Sequence, residues 1–452
     1  MRARSAPARC LRVGVIVLLG LATAVPQASA GSKGNLALET RAFWPDDDDL
    51  TTDYGISLAG QVQFSWKSKQ WRLTLGAFGR VGALEIDRSI LFAEDAFVAF
   101  RSKWVRIRIG TQVVNWSATE AFHPADVMNS RNFDSNIENA EKLGEPMVAI
   151  NLRLWEGARL EGFYMPFRLS PNLPNPSSRL SFAPTTVDAA PAFTGAQVAV
   201  GDTQWVDRDG GISTGLVSHQ WGARFSQTLD GADISLQVLQ HNDRNQPSFT
   251  APLAGLPGQG SAGGALEMQP VYHFVTHAGL TYTHVIEDWV VKVEAAYRHF
   301  HDVDDSAMAQ FAPFLSIEQK DHVQVAAGLE YGWVYDNDHE ATLILEGQAF
   351  IWYDGRPGDG DAEGPFENDV LIGYRHAFND EAGTEFLFTL ISDVLTWPEI
   401  LVGLQYSQRL NEVWGIKAGV RLSFAEPEGT FPSNLQPLHN DHNVNLSLTR
   451  YF

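Results

Sequence analysis

Cysteine is almost missing from this 452-residue chain, where Cys10 is the only one. A disulfide scaffold and a zinc–thiolate site are therefore excluded. Basic residues are scarce too, 33 Lys and Arg against 54 Asp and Glu, for a formal charge of −21. That balance is the reverse of a nucleic-acid binder's. Beyond the N-terminal region, no stretch offers the roughly 18 or more apolar residues a membrane helix needs. Catalytic signatures are lacking as well, since neither a G-x-S-x-G elbow nor an H-E-x-x-H helix occurs. His273, His277, His284, His299 and His301 stand without a nucleophile, base and orienting group around them. His273 and His277 share one strand face and read as hydrogen-bonding wall residues rather than a metal pair. The run Asp46 to Asp49 lacks the alternate spacing and glycine of a calcium loop. No enzyme activity, cofactor or metal is predicted.

What is present begins at the N-terminus. Arg2, Arg4, Arg9 and Arg12 precede an apolar run from Val13 to Ala24, and Ala28-Ser29-Ala30 follows. A basic region, a short apolar core and an A-x-A site predict a secretory signal peptide over 1–30, leaving 31–452 as the mature chain. The segment takes four arginines with it, so the mature charge falls four below −21, to about −25.

The rest alternates. Near the C-terminus Val444, Leu446, Leu448 and Phe452 stand on one face and mostly polar residues on the other, the period of a strand. Arg450 interrupts the apolar row, with a stem long enough to snorkel. The same reading gives eighteen strands, with sixteen as the alternative. They fall at 34–44, 55–67, 69–82, 91–102, 104–115, 146–155, 157–167, 213–229 and 231–242. They continue at 269–285, 287–302, 319–334, 339–353, 367–379, 382–394, 397–410, 412–425 and 441–452. Very short turns such as Lys67-Ser68-Lys69 join every second pair, and long loops rich in Asp, Glu, Gly and Pro join the others. Trp66, Trp104, Trp155, Trp221, Trp333, Tyr353 and Tyr406 gather at strand ends, as interfacial girdles require. An exported, aromatic chain of alternating strands with one-sided loops predicts an all-β, antiparallel up-and-down barrel in the bacterial outer membrane. Its final strand resembles the closing strand of such barrels, in which the terminal aromatic, here Phe452, is read by the insertion machinery.

The face opposite the apolar registers carries Arg72, Arg80, Arg106, Arg108, Arg153, Arg224, Lys292, Arg298, Arg375, Lys417 and Arg421. Its clear acids are fewer, namely Asp95, Glu294, Glu330 and Glu346. The chain is acidic, yet its inferred inner wall is basic, and such a wall favours anions. The alternative reading is that these cations pair with inward carboxylates and brace a wide barrel. The acidic loop runs, Asp46 to Asp49, Asp302 to Asp305 and Asp354 to Glu367, read as solvated surface.

The connection from Trp116 to Glu145 is long enough to be functional and third among the long loops. It carries Glu120, His123, Asp126, Arg131 and Asp134 and is the candidate constriction. The proline-rich 168–212 connection is a candidate lid or cap. Around the first of these, Gly110-Thr111-Gln112-Val113-Val114-Asn115-Trp116-Ser117 and His123-Pro124-Ala125-Asp126-Val127 resemble a porin-like family of proteobacterial outer-membrane proteins of mostly unassigned function. Gly144-Glu145-Pro146-Met147-Val148 and Leu160-Glu161-Gly162-Phe163-Tyr164 continue the likeness. That family has Arg and Gly where Thr111 and Ser117 stand, and Asn where His123 stands. The stretch is also similar to eighteen-stranded alginate exporters with arginine-lined lumens. By order the 116–145 connection also resembles the third loop of general porins, which folds into the barrel and narrows the channel, and the expected function is a passive channel.

The expected partners are the bilayer, lipopolysaccharide, the insertion machinery and small, anionic or carboxylated solutes, with oligomeric state left open. A structural or adhesive barrel, or a transporter of hydrophobic ligands, is the competing reading. A lumen filled by paired side chains or loops, without conductance, would mark it.

Overall fold

The computed structural model describes residues 30–44, 53–84, 88–135, 140–174, 178–180, 217–243, 273–301, 320–353, 366–395, 399–425, 435 and 438–452. It also describes the backbone of short strands at 186–188, 197–199, 203–205, 248–250 and 266–271. Residues 1–29 of the predicted signal peptide and the acidic runs at 46–49 and 302–305 lie outside the described residues, as does most of 354–367.

Eighteen strands form one closed sheet. They are β1 (Ala30–Trp44), β2 (Tyr54–Lys67), β3 (Trp71–Gly82), β4 (Ile90–Arg101), β5 (Val105–Gln112) and β6 (Glu145–Trp155). Next come β7 (Ala158–Phe167), β8 (Val217–Thr228), β9 (Ala232–Asn242), β10 (Phe274–Ile286), β11 (Trp289–His301) and β12 (His322–Val334). The last are β13 (Glu340–Trp352), β14 (Asp369–Ala377), β15 (Glu385–Asp393), β16 (Ile400–Arg409), β17 (Trp414–Phe424) and β18 (His442–Tyr451). Each pairs antiparallel with its neighbours in sequence, and β1 pairs with β18 from Asn35↔Tyr451 to Trp44↔His442. The closing pair extends to Phe452, whose N–H and C=O exchange 3.0 Å hydrogen bonds with Gly34. Closure leaves no sheet edge, the condition for a sheet to stand in lipid.

Every strand is close to its predicted span, and two limits need correction, those of β5 and β10. β5 stops at Gln112 rather than 115, because the next amides, of Val113 and Val114, donate to the Asp95 and Asn129 side chains. The described part of β8 begins at Val217, and 213–216 of its predicted span lie outside the described residues. β10 begins at Phe274 rather than 269. The residues before it, Leu266–Val271, belong to a separate three-stranded loop sheet, parallel to Thr203–Trp205 and antiparallel to Ser248–Thr250.

The two faces separate as the period demands. Outward rows such as Ile56 and Leu58, Leu36 and Leu38, and Val444, Leu446 and Leu448 are exposed apolar side chains. In a soluble protein this would be a large unburied surface; on a barrel it is the lipid-facing band. Aromatics line the short-turn rim, with Trp289 against Tyr331 at 4.5 Å and Trp71 against Phe100 at 5.1 Å, and Tyr297 stands against Tyr353 at 5.9 Å near the loop end.

Candidate functional site, a loop folded across the barrel

The site starts from an irregularity. Opposite β3 the register of β4 shifts between Leu75 and Ala77, which face Ala96 and Ala93. Glu94 and Asp95 are left against Gly76, and both reach the lumen. Strict alternation would have sent them to opposite faces; a bulge re-aims one of them. Two more glycines close around the bulge. A Cβ on Gly144 would lie 2.3 Å from the Ala93 carbonyl oxygen and 2.4 Å from that of Glu94. Gly110 has φ +131°, and a Cβ there would meet the Ala96 carbonyl oxygen at 2.3 Å.

From the bulge the chain leaves the wall. Asp95 Oδ1 accepts from Val113 N at 3.0 Å, ending the strand pairing of β5. Buried Asn129 then ties both arms of the loop together. Its Oδ1 accepts from Val114 N at 2.9 Å, and its Nδ2 donates to the carbonyls of Gln112 at 2.9 Å and Leu143 at 2.8 Å. Trp116 packs edge-on to Phe163 at 5.4 Å, under the Arg224 guanidinium at 5.2 Å. With Val114, Met128, Met147, Phe163, Met165 and Leu239 it forms an apolar seam between loop and inner wall.

The tip then crosses to strands six and eight places further round the ring of eighteen, close to diametrically opposite. There two inward carboxylates receive it. Glu294 on β11 accepts from Ala118 N at 2.5 Å, Thr119 N at 3.1 Å, Thr119 Oγ1 at 2.8 Å and Ala125 N at 3.1 Å. Glu346 on β13 accepts from Glu120 N at 2.7 Å, Ala121 N at 3.0 Å and Phe122 N at 2.7 Å. Gln237 on β9 donates to the Ala125 carbonyl. A turn of backbone carries few other partners for its amides inside a barrel, so a carboxylate offering several lone pairs is well matched to it.

The predicted constriction residues divide between anchoring and lining. Asp126 is buried against Lys142, with Arg131 at 3.9 Å. Asp134 lies 3.8 Å from Arg41 and 3.7 Å from Arg88. Glu120 pairs with Lys292 at 2.5 Å. The His123 Nδ1 has no hydrogen-bond partner among the described residues, and the ring faces a cavity of about 1030 Å³ that also touches Asp126, Arg131 and Glu120.

Burial, with Arg131 and Lys142 nearby, pushes the His123 imidazole down to about 4, against partial relief from Asp126 and Glu120. In an unfolded chain it titrates near ~6.5. The folded loop thus prefers the neutral ring. Its contribution is complete above about pH 6.5 and is lost as the pH falls from there toward 4. Lowering the pH from 7 to 5 should therefore increase amide exchange at 118–125, and His123→Asn should remove part of that increase. Equal pH dependence in both proteins would show that the ring is not strained.

The wall cations separate into two groups. Arg80 pairs with Glu39 at 2.9 Å, Lys292 with Glu330 at 2.5 Å, Arg298 with Asp243 at 3.3 Å and Arg375 with Glu385 at 2.5 Å. Arg224 is stacked on Trp116 and donates to Ser235 Oγ at 2.9 Å. These brace the barrel and the loop. Arg72, Arg106, Arg108, Arg153 and Lys417 make no ion pair among the described residues, while Arg421 lies in the inward row of β17. The inward rows of β3, β5 and β6 bring Arg72, Arg106, Arg108 and Arg153 together toward the short-turn end, with Arg159 beside Arg153 in register.

Sequence reading missed Glu39, Glu94, Arg159, Glu161 and Asn129. Alternation along β1 and β7 would have found Glu39, Arg159 and Glu161. The bulge hides Glu94, and nothing in the sequence marks Asn129 as the tie.

A closed eighteen-stranded barrel with a lipid-facing apolar band, aromatic rims and an inward loop is a bacterial outer-membrane β-barrel. The chain belongs to the family described as "Protein of unknown function (DUF1302)", whose profile matches residues 88–452. No curated protein matches it. Among solved structures it is similar to Pseudomonas aeruginosa OccD3 (OpdP), with TM-score 0.50, 10% identity, and coverage of 95% of this chain and 92% of that one. P. aeruginosa OccK11 (OpdR) gives TM-score 0.49 at 9% identity, over 94% of this chain and 96% of that one. Acinetobacter baumannii OccAB3 gives 0.48 at 8%, over 94% and 99%. At these identities the likeness is one of fold.

Proposed function

We propose that the protein is a passive outer-membrane channel for small hydrophilic solutes, narrowed by the 113–144 loop, which favours anionic and carboxylated solutes. The observation that carries this reading is the inward set Arg72, Arg106, Arg108 and Arg153, charged and without ion-pair partners among the described residues. Cations that only brace a wall are paired, as Arg80, Arg298 and Arg375 are. Unpaired guanidinium groups on a confined wall hold anions briefly and release them, which conduction needs. In this reading residues 1–30 are removed on export, the Phe452 strand addresses the chain to the insertion machinery, and lipid and lipopolysaccharide surround the barrel.

The test is single-channel recording of the refolded mature protein under a salt gradient. Arg106→Glu with Arg108→Glu should shift the reversal potential toward cations. An unshifted potential would remove these residues from the conduction path. A second reading, carriage of an apolar ligand, is favoured by the inward apolar residues Ala326, Ile344, Leu371, Ile391 and Leu401, which pack beneath Phe122 and Leu180. A folded barrel that never conducts would support that reading.

A further inference from the structure

The cavity beside the loop has a charge pattern that the arginine set does not explain. It runs along the inner faces of β17, β18 and β1 to β4. Its lining includes Glu39, Glu94, Asp95, Glu120, Asp126 and Glu141 against Arg131, Lys142 and Lys417. Most of those acids are engaged: Asp126 with Lys142, Glu120 with Lys292, and Glu39 and Glu141 with Arg80. Glu94 and Asp95 are not. Gln61 Nε2 donates to both oxygens of Glu94 at 2.8 Å, and Val113 N donates to Asp95. Neither carboxylate has a cation in ion-pair range among the described residues. Two adjacent carboxylates with no cation in ion-pair range repel each other in a confined space, and a mobile cation would relieve that cost.

A second observation points the same way. His123 faces this cavity, and its buried Nδ1 has no hydrogen-bond partner among the described residues. It is neutral at pH 7, so it offers a hydrogen bond without a positive charge to oppose a cation. Phe92 and Phe78, whose ring centroids are 5.2 Å apart, lie on the same wall and present an apolar surface to a carbon skeleton. No group of three His, Asp or Glu side chains among the described residues is spaced to hold a metal ion. An organic cation with several N–H donors fits the separated carboxylates better than a compact metal.

We infer that Glu94 and Asp95, raised by the bulge, form a subsite for the ammonium group of a small organic solute. The inference rests on the channel reading. It deepens that reading because β4 and β5 adjoin, with Ala96↔Thr111 and Ala99↔Arg108 in register. Asp95 and Arg108 thus stand on neighbouring strands a few residues apart in height. A solute with an ammonium group at one end and a carboxylate at the other would satisfy both, so the preferred class is zwitterionic and amino-acid-like.

The experiment compares three probes of similar length in planar bilayers at pH 7: 4-aminobutyrate, butyrate and butylammonium. 4-Aminobutyrate should interrupt the current at about tenfold lower concentration than either single-charge probe, the worth of one added charge-assisted hydrogen bond. Glu94→Gln with Asp95→Asn should abolish that advantage without weakening butyrate block, and Glu94→Gln alone should reduce it. Heat-modifiable mobility confirms that each variant folds. Conductance with no preference for 4-aminobutyrate, or a preference that survives in the double variant, overturns the subsite while leaving the channel intact. If the barrel does not conduct, the channel reading fails by itself. Calorimetric titration with butylammonium then decides the subsite: binding lost in the double variant upholds it, and no binding to the wild type overturns it.

Discussion

Replacing both loop-anchoring carboxylates, Glu294→Gln with Glu346→Gln, should free the tip of the inward loop and raise single-channel conductance and current noise together. Each carboxylate uses both oxygens. Oε1 of Glu294 takes Ala118 and Thr119, and its Oε2 takes Ala125. On Glu346, Oε2 takes Glu120 while Oε1 takes Ala121 and Phe122. A glutamine keeps one acceptor and turns an NH2 toward amide hydrogens that then lack a partner. Losing charge-assisted bonds and stranding their donors costs about 1.5–3 kcal/mol at each anchor. If the two losses add, the double variant should therefore populate a detached loop roughly a hundredfold to ten-thousandfold more than the wild type. The seam around Trp116 and Asn129 is untouched, so the base stays attached and the barrel folds. Unchanged conductance and noise would mean that the seam and the Phe122 cluster hold the tip without the carboxylates.

This prediction also shows how far the sequence reached. Period-two alternation exposes every barrel strand because lipid and lumen impose opposite chemistry on successive residues, and Glu294 and Glu346 were visible as inward acids for that reason. Their task was not visible. It depends on two carboxylates meeting a loop more than 160 residues away in sequence, as the separations of 176 and 226 show. The division of the wall cations was hidden on the same ground. Arg80 and Arg106 look alike in their strands, yet one meets Glu39 across the sheet and the other meets no carboxylate in ion-pair range. The bulge at Glu94 and Asp95 was invisible because it adds one residue without changing composition. The residues of the motif around Gly110, by contrast, come together in the fold. Gly110, Gln112, Trp116, Asp126 and Gly144 all lie at the base or the core of the inward loop.

Those glycines allow a test of whether the bulge and the loop form one unit. Gly110→Ala and Gly144→Ala should each destabilise the folded barrel by roughly 2–3 kcal/mol, and each should disturb the loop. At Gly110 the φ of +131° is a conformation that an alanine adopts only under strain, and its methyl would also meet Phe97 Cα at 2.8 Å. At Gly144 the obstacles are the carbonyls of Ala93 and Glu94 and the Thr111 methyl at 2.5 Å. Most of these are backbone atoms of the bulge, which cannot rotate aside as a long side chain would. Relief therefore requires either the loop to lift or the bulge to straighten, and straightening would turn Glu94 or Asp95 toward lipid. Gly162 is the control, because it lies in the neighbouring Leu160–Tyr164 stretch of the barrel wall yet a Cβ there meets nothing within 4 Å. Gly162→Ala should be close to neutral in urea unfolding from detergent micelles and in conductance. If all three variants unfold alike, the bulge is not braced by its glycines. If Gly144→Ala is destabilised but conducts as the wild type does, the bulge relaxes without moving the loop, and the two are separate features of the wall.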